Sequence, residues 1–388
     1  MADVIIVGAG VIGASTAFHL AERDSDVLIL DRDGPSAGST ARSAALVRAH
    51  YPTALEADLA WESLTDYFEH WGERVGGCCG FTRTGFAFLA SQEDEENLRA
   101  NVAMLSKEVG LDTAILEPGD LKNVDPALGT DGVAVAAHEP RGGYADPSAT
   151  TLGFLRAAED LGARFERRRV ESLVEREGRI SGVETEEGVL EARTVVLCAG
   201  APSVPLAASV GLDLPIRPAR VQVALFERPY SLSTHLTTID SVYGISFRPT
   251  ADRCTLVSMR LPELEWLQSP DEYAPGADDT FVKTAASRIS RRIPALREAP
   301  YRLGWAGVVD VTPDGRPVLG LEGPEGLYLS VGWSGTGFKK APAVGAELAR
   351  WMDEGAPKRN GLESYSLERF EKGDLISGKH EYGVKSPH

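Results

Sequence analysis

The sequence predicts an α/β chain: an open, doubly wound sheet of the dinucleotide-binding kind, joined to a second domain whose sheet is mostly antiparallel. Three observations carry this reading. The apolar run VIIV (4–7) leads into GAGVIG (8–13) and then into the helical stretch ASTAFHLAERD. A second apolar run, VLILD (27–31), follows that helix. The middle of the chain then alternates short strands with charged turns instead of helices.

Each part of the opening unit has a physical task. Gly8 permits the tight exit from the first strand, Gly10 lets the backbone approach a pyrophosphate, and Gly13 lets helix and strand pack closely. The N–H groups that open the helix, from Val11 and Ile12 onward, face the phosphate charge. Asp31 ends the second strand 31 − 13 = 18 positions after the last glycine, close to the spacing of about 20 expected of a ribose-binding acid, with Arg32 beside it. The unit by itself leaves NAD and FAD open.

The elements that follow are read in order. Residues 34–52, GPSAGSTARSAALVRAHYP, are rich in small and hydroxyl side chains, which suits a backbone pressed against a ligand. Helical spacing runs through 54–76 and 93–110, with Gly110 as a C-cap, and 85–91 reads as a strand. GGYADP opens a turn, helix and strand over 142–165 that lead back to the first domain. Short strands with turns at Gly178 and Gly188 end in TVVLCAG, ahead of the candidate strands RVQVALFE, VYGISF and CTLVSM and a helix at 278–293. The last portion, VTPDGRPVLG, GLYLSVG, WSGTGF and KKAPAVGAELARWMDEG, repeats the strand, glycine turn and helix of the first 25 residues.

A formal charge of −17 opposes nonspecific attraction to nucleic acid or to an anionic membrane. No apolar run is long enough to span a bilayer, so membrane insertion is not expected. VIIVGAGVIGAS enters a folding motif without a basic leader. Cys78, Cys79, Cys198 and Cys254 have neither zinc-site nor disulfide-framework spacing, so no metal is expected and a reducing cytoplasm is the expected location. HExxH and GxSxG motifs are absent.

GAGVIGAS, STARSAALVR, GGYADP, TVVLCAGAPS, VTPDGRPVLG and GWSGTGFK, in this order over nearly the whole chain, resemble the FAD-dependent amine and amino-acid oxidases of the D-amino-acid-oxidase superfamily. The resemblance is nearest to glycine oxidase, monomeric sarcosine oxidase and related proline or sarcosine dehydrogenases. It implies FAD, in a discontinuous Rossmann-like FAD-binding domain of residues 1–84, 145–217 and 306–388. A substrate domain of residues 85–144 and 218–305 completes the chain.

The same resemblance assigns residues. Gly8, Gly10, Val11, Ile12, Gly13, Asp31 and Arg32 fall on the ADP-binding positions, and Ser39, Thr40, Arg42, Ser43 and Ala44 on the stretch along pyrophosphate and flavin. Val170 matches an adenine contact, and Ala199 and Gly200 a strand end beneath the cofactor. Gly335, Gly337, Phe338 and Lys339 fall on the turn beside the flavin ring. Arg48 and Lys339 match two cations that hold a substrate carboxylate, with Tyr243, Arg248, Met259 and His50 as further substrate-side candidates. Three departures matter: Gly307 stands where sarcosine oxidase links its flavin through cysteine, Arg42 where some dehydrogenases use histidine, and Val309 where glycine oxidase has a carboxylate-binding arginine. Noncovalent FAD is therefore expected. The lysine that promotes oxygen reaction in sarcosine oxidase falls near Val257, which leaves the acceptor open between O2 and an electron carrier.

The implied reaction is oxidation of the C–N bond of a small amino acid or N-substituted glycine, by hydride transfer to flavin N5. It gives an imine and then a keto acid, or an aldehyde plus amine, with H2O2 if O2 is the acceptor. The flavin does the chemistry, so no catalytic side chain is assigned. A dehydrogenase using another acceptor and a non-catalytic flavin-binding subunit are the alternatives. The expected assembly is a monomer or small homo-oligomer.

Overall fold

A computed structural model describes residues 2–259 and 264–382. Its first sheet has six strands in the order Val318–Leu321, Leu327–Val331, Thr194–Leu197, Val4–Val7, Val27–Asp31, Arg164–Arg167. All neighbours are parallel except the first two, which form a hairpin. Val4–Val7 lies fully buried with Thr194–Leu197 on one side and Val27–Asp31 on the other, which explains why it is apolar without alternation.

The helix Val11–Ala21 is buried along its whole length, packed against Pro147–Asp160 and Ala341–Glu354. Small residues make this possible: a Cβ on Gly345 would lie 2.4 Å from Ser15 Oγ, so the two helix backbones cross there with no room for a larger side chain.

The second sheet has nine strands and is mostly antiparallel. Its order is Glu265–Trp266, Arg217–Glu227, Cys254–Met259, Ile245–Pro249, Thr237–Asp240, Phe86–Ala90, Val135–Glu139 and Ala114–Leu116, with Tyr301–Val311 also paired to Arg217–Glu227. Thr237–Asp240 and Phe86–Ala90 form its parallel pair. Helix Asp279–Arg292 covers it, anchored by a fully buried ion pair of 2.7 Å between Arg292 and Asp240. Leu46–Val47, Gly143–Tyr144 and Thr82–Arg83 make a small third sheet, and residues 170–191 form the three-stranded meander. No described helix is long and apolar enough to cross a membrane, and the four cysteines are free.

Three local expectations are corrected. The helix expected over 54–76 is α-helical only at Ala54–Glu62 and Trp71–Arg74, with a π-helical stretch at Ser63–Phe68 between them. Ser63 Oγ donates to Leu59 O and Thr65 Oγ1 to Trp61 O, so hydroxyls compete with the i→i−4 ladder where it widens. VYGISF is not all strand: Asp240 Oδ1 accepts from the N–H groups of Val242 and Tyr243, which turns the chain, and the strand starts at Ile245. The C-terminal helix, expected from Lys339, begins at Ala341, because Phe338–Lys340 form a 3-10 turn ahead of it.

Candidate active site

The opening turn closes only with glycines. Gly8 has φ +109°, and a Cβ there would lie 2.6 Å from Cys198 O; one on Gly13 would lie 2.0 Å from Gly8 O. Ala199 and Gly200 follow the neighbouring strand directly beneath, with Ala199 Cα 2.9 Å from that same Gly8 Cβ position. Asp31 ties the turn to the next loop: Oδ2 accepts from Ala9 N at 2.9 Å, and Oδ1 from Asp33 N and Gly34 N at 2.9 Å each.

The helix that follows has no side-chain cap at Gly10 and no acid in its first turn, while Thr40 Oγ1 accepts from Val11 N at 3.2 Å. Ser43 Oγ is buried without a hydrogen-bond partner. Amide donors of a helix with no acid in its first turn, and the unpaired Ser43 hydroxyl, fit a pyrophosphate-bearing cofactor such as FAD.

Other residues of this set are spread around the turn. Arg32 points outward to Asp33 and Asp271. Ser39 Oγ donates to Val308 O at 2.6 Å. Arg42 donates to Ala37 O and Gly38 O, and its own carbonyl accepts from Trp305 Nε1 at 3.0 Å. A Cβ on Gly307 would lie 2.8 Å from Arg42 Cβ, so these two positions face each other. Val170 begins the meander, paired to Thr185.

The second glycine turn is organised by a buried acid. Asp310 accepts from Gly332 N at 2.7 Å and Trp333 N at 3.3 Å, and burial pushes its carboxyl up to about 6 against those hydrogen bonds. Gly335 has φ +79° and faces Val309, with its Cβ position 3.7 Å from Val309 Cγ1. Phe338 packs on Phe68 at 5.9 Å between centroids, and Lys339 and Lys340, which follow it, are buried too.

Here the two ends of the chain meet around Tyr51. The Arg48 guanidinium lies 4.3 Å from the Tyr51 ring centroid and donates to His50 O; Lys339 Nζ lies 5.9 Å and Lys340 Nζ 4.3 Å from the same ring. Residues 291 positions apart in sequence, by 339 − 48, thus share one aromatic side chain. Lys340 is itself paired with Glu56 at 2.6 Å, and Arg316 holds the other oxygen of Glu56 at 2.6 Å.

His50 is buried, both its nitrogens lack hydrogen-bond partners, and burial followed by the Arg48 charge holds it down to about 3, so it is neutral. Its Nδ1 lies 3.9 Å from Glu139 Oε1, and burial pushes Glu139 up to about 7.

The remaining sequence candidates lie apart from this cluster. Arg248 stacks on Tyr144 at 4.3 Å and donates to Ala44 O, which joins it to the 43–45 segment. Tyr243 sits in the turn between Arg291 and Arg292, each 4.4 Å from its ring. Met259 pairs with Ile245 and packs with the core that includes Phe281 and Ile289.

Sequence reasoning missed Tyr51, Glu56, Glu139, Arg316 and Lys340. One signal was available for Glu56: Thr53 and Glu56 have capping-box spacing, and Thr53 Oγ1 accepts from Glu56 N at 3.4 Å. A groove of about 340 Å³ lined by His19, Tyr67, Arg74 and Arg350 lies at the opposite end of helix Val11–Ala21 from the glycine turn.

Residues 3–351 match the family described as FAD dependent oxidoreductase. The chain is 26% identical over 95% of its length to the mitochondrial sarcosine dehydrogenase of Mus musculus, and spans 41% of that protein. It is 28% identical to the glycine oxidase of Pseudomonas putida, covering 88% of this chain and 92% of that one. The solved L-proline dehydrogenase from P. horikoshii superposes with a TM-score of 0.89 at 25% identity, over 97% of this chain and 99% of the other.

Proposed function

Because the chain belongs to the family of FAD-dependent oxidoreductases, we propose that it oxidises the C–N bond of a small amino acid or N-substituted glycine, a reading supported by its similarity to proteins named glycine oxidase and sarcosine oxidase subunit beta. The observation that carries this is the meeting of Arg48 and Lys339 at Tyr51. Two cations drawn from opposite ends of the sequence form a carboxylate clamp, and charge-assisted bonds to a carboxylate are strong enough to fix a small substrate. FAD, held at the glycine turn by the amides of the helix start, would supply the two-electron oxidation of the carbon beside the amine nitrogen. The chain's own groups supply placement: Arg48 and Lys339 hold the carboxylate, and neutral His50 leaves the carboxylate's charge to be met by those two cations. Water then hydrolyses the imine to a keto acid plus ammonia, or, from an N-substituted glycine, to an aldehyde plus amine.

FAD is held without a covalent link in this reading, since Gly307 carries no side chain and Arg42 stands opposite it. The substrate is small, O2 is the acceptor and H2O2 the product. A dehydrogenase using an electron carrier is the second reading, favoured by Val257: this position is aliphatic, fully buried and paired with Phe247 and Ala224. Four free cysteines accord with a reducing cytoplasm.

An anaerobic panel of amines and amino acids, followed by bleaching of flavin absorbance, tests the proposal. Reduction by glycine, sarcosine or a small relative is expected, and failure of every member would refute the substrate class. Peroxide release under air then separates the two acceptors.

A further inference from the structure

The chain from residue 48 to 53 leaves the strand Leu46–Val47 and reaches helix Ala54–Glu62 without regular structure. Its backbone groups lack a ladder, so buried side chains satisfy them. Glu139 Oε2 accepts from Ala49 N at 2.9 Å, and Asn101 Nδ2 donates to Tyr51 O at 3.1 Å. Asn101 is fully buried on helix Glu95–Glu108, and the same nitrogen donates to Tyr382 Oη at 3.0 Å.

Tyr382 arrives from the far end of the chain. After helix Glu368–Lys372, Ile376 N donates to Asp314 Oδ2 at 3.2 Å, and the backbone then presses on Pro52, where a Cβ on Gly378 would lie 2.5 Å from Pro52 Cβ. The Tyr382 ring finally lies 5.3 Å from the His50 ring and 5.0 Å from that of Phe88. Residues 376–382 therefore form a strap across the back of the segment that carries Arg48, touching its carbonyl partner Asn101 and the rings on either side.

We propose that Asn101 and Tyr382 are positioning residues, which hold Arg48 in place for a substrate carboxylate by fixing the backbone at Tyr51 from behind. This rests on the reading of Arg48 as a carboxylate ligand. The reason is preorganisation: Arg48 stacks on Tyr51, so any freedom of the Tyr51 backbone is passed to the guanidinium and must be lost again when substrate binds. Neither residue reaches the reacting atoms in this account.

The test uses the FAD-loaded enzyme and propionate, a carboxylate that cannot be oxidised as an amine, titrated by its perturbation of flavin absorbance. Tyr382→Phe keeps the ring against His50 and Phe88 and removes only the oxygen. Its dissociation constant for propionate is expected to rise about fivefold, the scale of one hydrogen bond, with FAD content unchanged and the melting temperature lowered by a few degrees at most. With an oxidisable substrate, KM rises by the same factor and kcat does not change. Asn101→Ala gives the same rise, and the double variant adds nothing further. Unchanged propionate affinity in Tyr382→Phe, where Arg48→Ala weakens it, overturns the strap's role alone. A loss of FAD content that tracks the weaker binding, or a fall in kcat alongside the rise in KM, also overturns it, because that marks a general structural role. Unchanged affinity in Arg48→Ala overturns the carboxylate reading and this proposal together.

Discussion

Lys340 and Glu56 form an ion pair of 2.6 Å in which neither side chain is more than 1% exposed, and Arg316 closes on the second oxygen of the same carboxylate. One buried carboxylate thus serves two cations on the C-terminal portion of the chain, and joins them to a helix that starts at residue 54. Burial pulls the Lys340 ammonium down to about 8, despite Glu56, and it stays charged at neutral pH.

Removing the Glu56 charge leaves two buried cations without compensation. Glu56→Gln is expected to cost about 3 kcal/mol in urea denaturation at pH 7. Burial alone raises the Glu56 carboxyl, but Lys340 and Arg316 outweigh it and set it below its usual 4.5. A depressed acid stabilises the fold above its unfolded value, and that contribution is lost as pH falls through the folded value. The gap between wild type and Glu56→Gln should therefore narrow below pH 4.5; a gap that widens there contradicts the assignment.

Glu139 has the opposite sign. Burial raises it to about 7 from 4.5, its Oε1 is unpaired, and the folded protein therefore holds the proton more tightly than the unfolded chain. The penalty is absent below pH 4.5, grows as pH rises and is complete above about 7. Glu139→Gln keeps an acceptor for Ala49 N and is expected to be more stable than wild type at pH 8, by up to about 3 kcal/mol. Melting curves at pH 8 and pH 4.5 check this, with the advantage vanishing at the lower pH. Equal advantages at both would show that the charge is not the cause.

Gly13→Ala places a methyl group 2.0 Å from Gly8 O, where only a shift of helix Val11–Ala21 relieves the overlap. That helix is packed on both sides, so the shift is resisted. The expected result is a destabilisation of about 1–3 kcal/mol and loss of most bound FAD, read from the ratio of flavin to protein absorbance. Full occupancy would mean that the turn does not hold the cofactor.

Arg48→Ala and Lys339→Ala are each expected to weaken substrate or propionate binding by roughly 10- to 100-fold, the range of a charge-assisted hydrogen bond. FAD stays bound, because the ADP cradle lies at a different glycine turn. Titration of the reduced-flavin signal against substrate measures the change; unaltered affinity in both variants removes the clamp.

The opening unit was legible because its causes are local. Gly8 turns the chain at φ +109° and Gly13 faces Gly8 O five positions back, and the runs 4–7 and 27–31 are apolar because both faces of their sheet are covered. The order of six motifs conveyed the family for the same reason, since each is a short segment with its own turn or strand. Local signals failed where side chains intervened: the hydroxyls of Ser63 and Thr65 rebuilt one helix as a π-turn, and Asp240 drew Tyr243 out of its expected strand.

What the sequence determined by itself was the nucleotide cradle, the flavin family and the identity of two candidate cations, Arg48 and Lys339. What only the tertiary structure decided was their setting: Tyr51 between them, Glu56 and Arg316 around Lys340, Glu139 beside His50, and Tyr382 behind them all. The reason is range. A strand, glycine turn and helix are announced by residue types within a few positions of one another, whereas the partners of a buried charge are chosen by which distant segments the packed sheets bring within about 4 Å, where low dielectric makes each of them count.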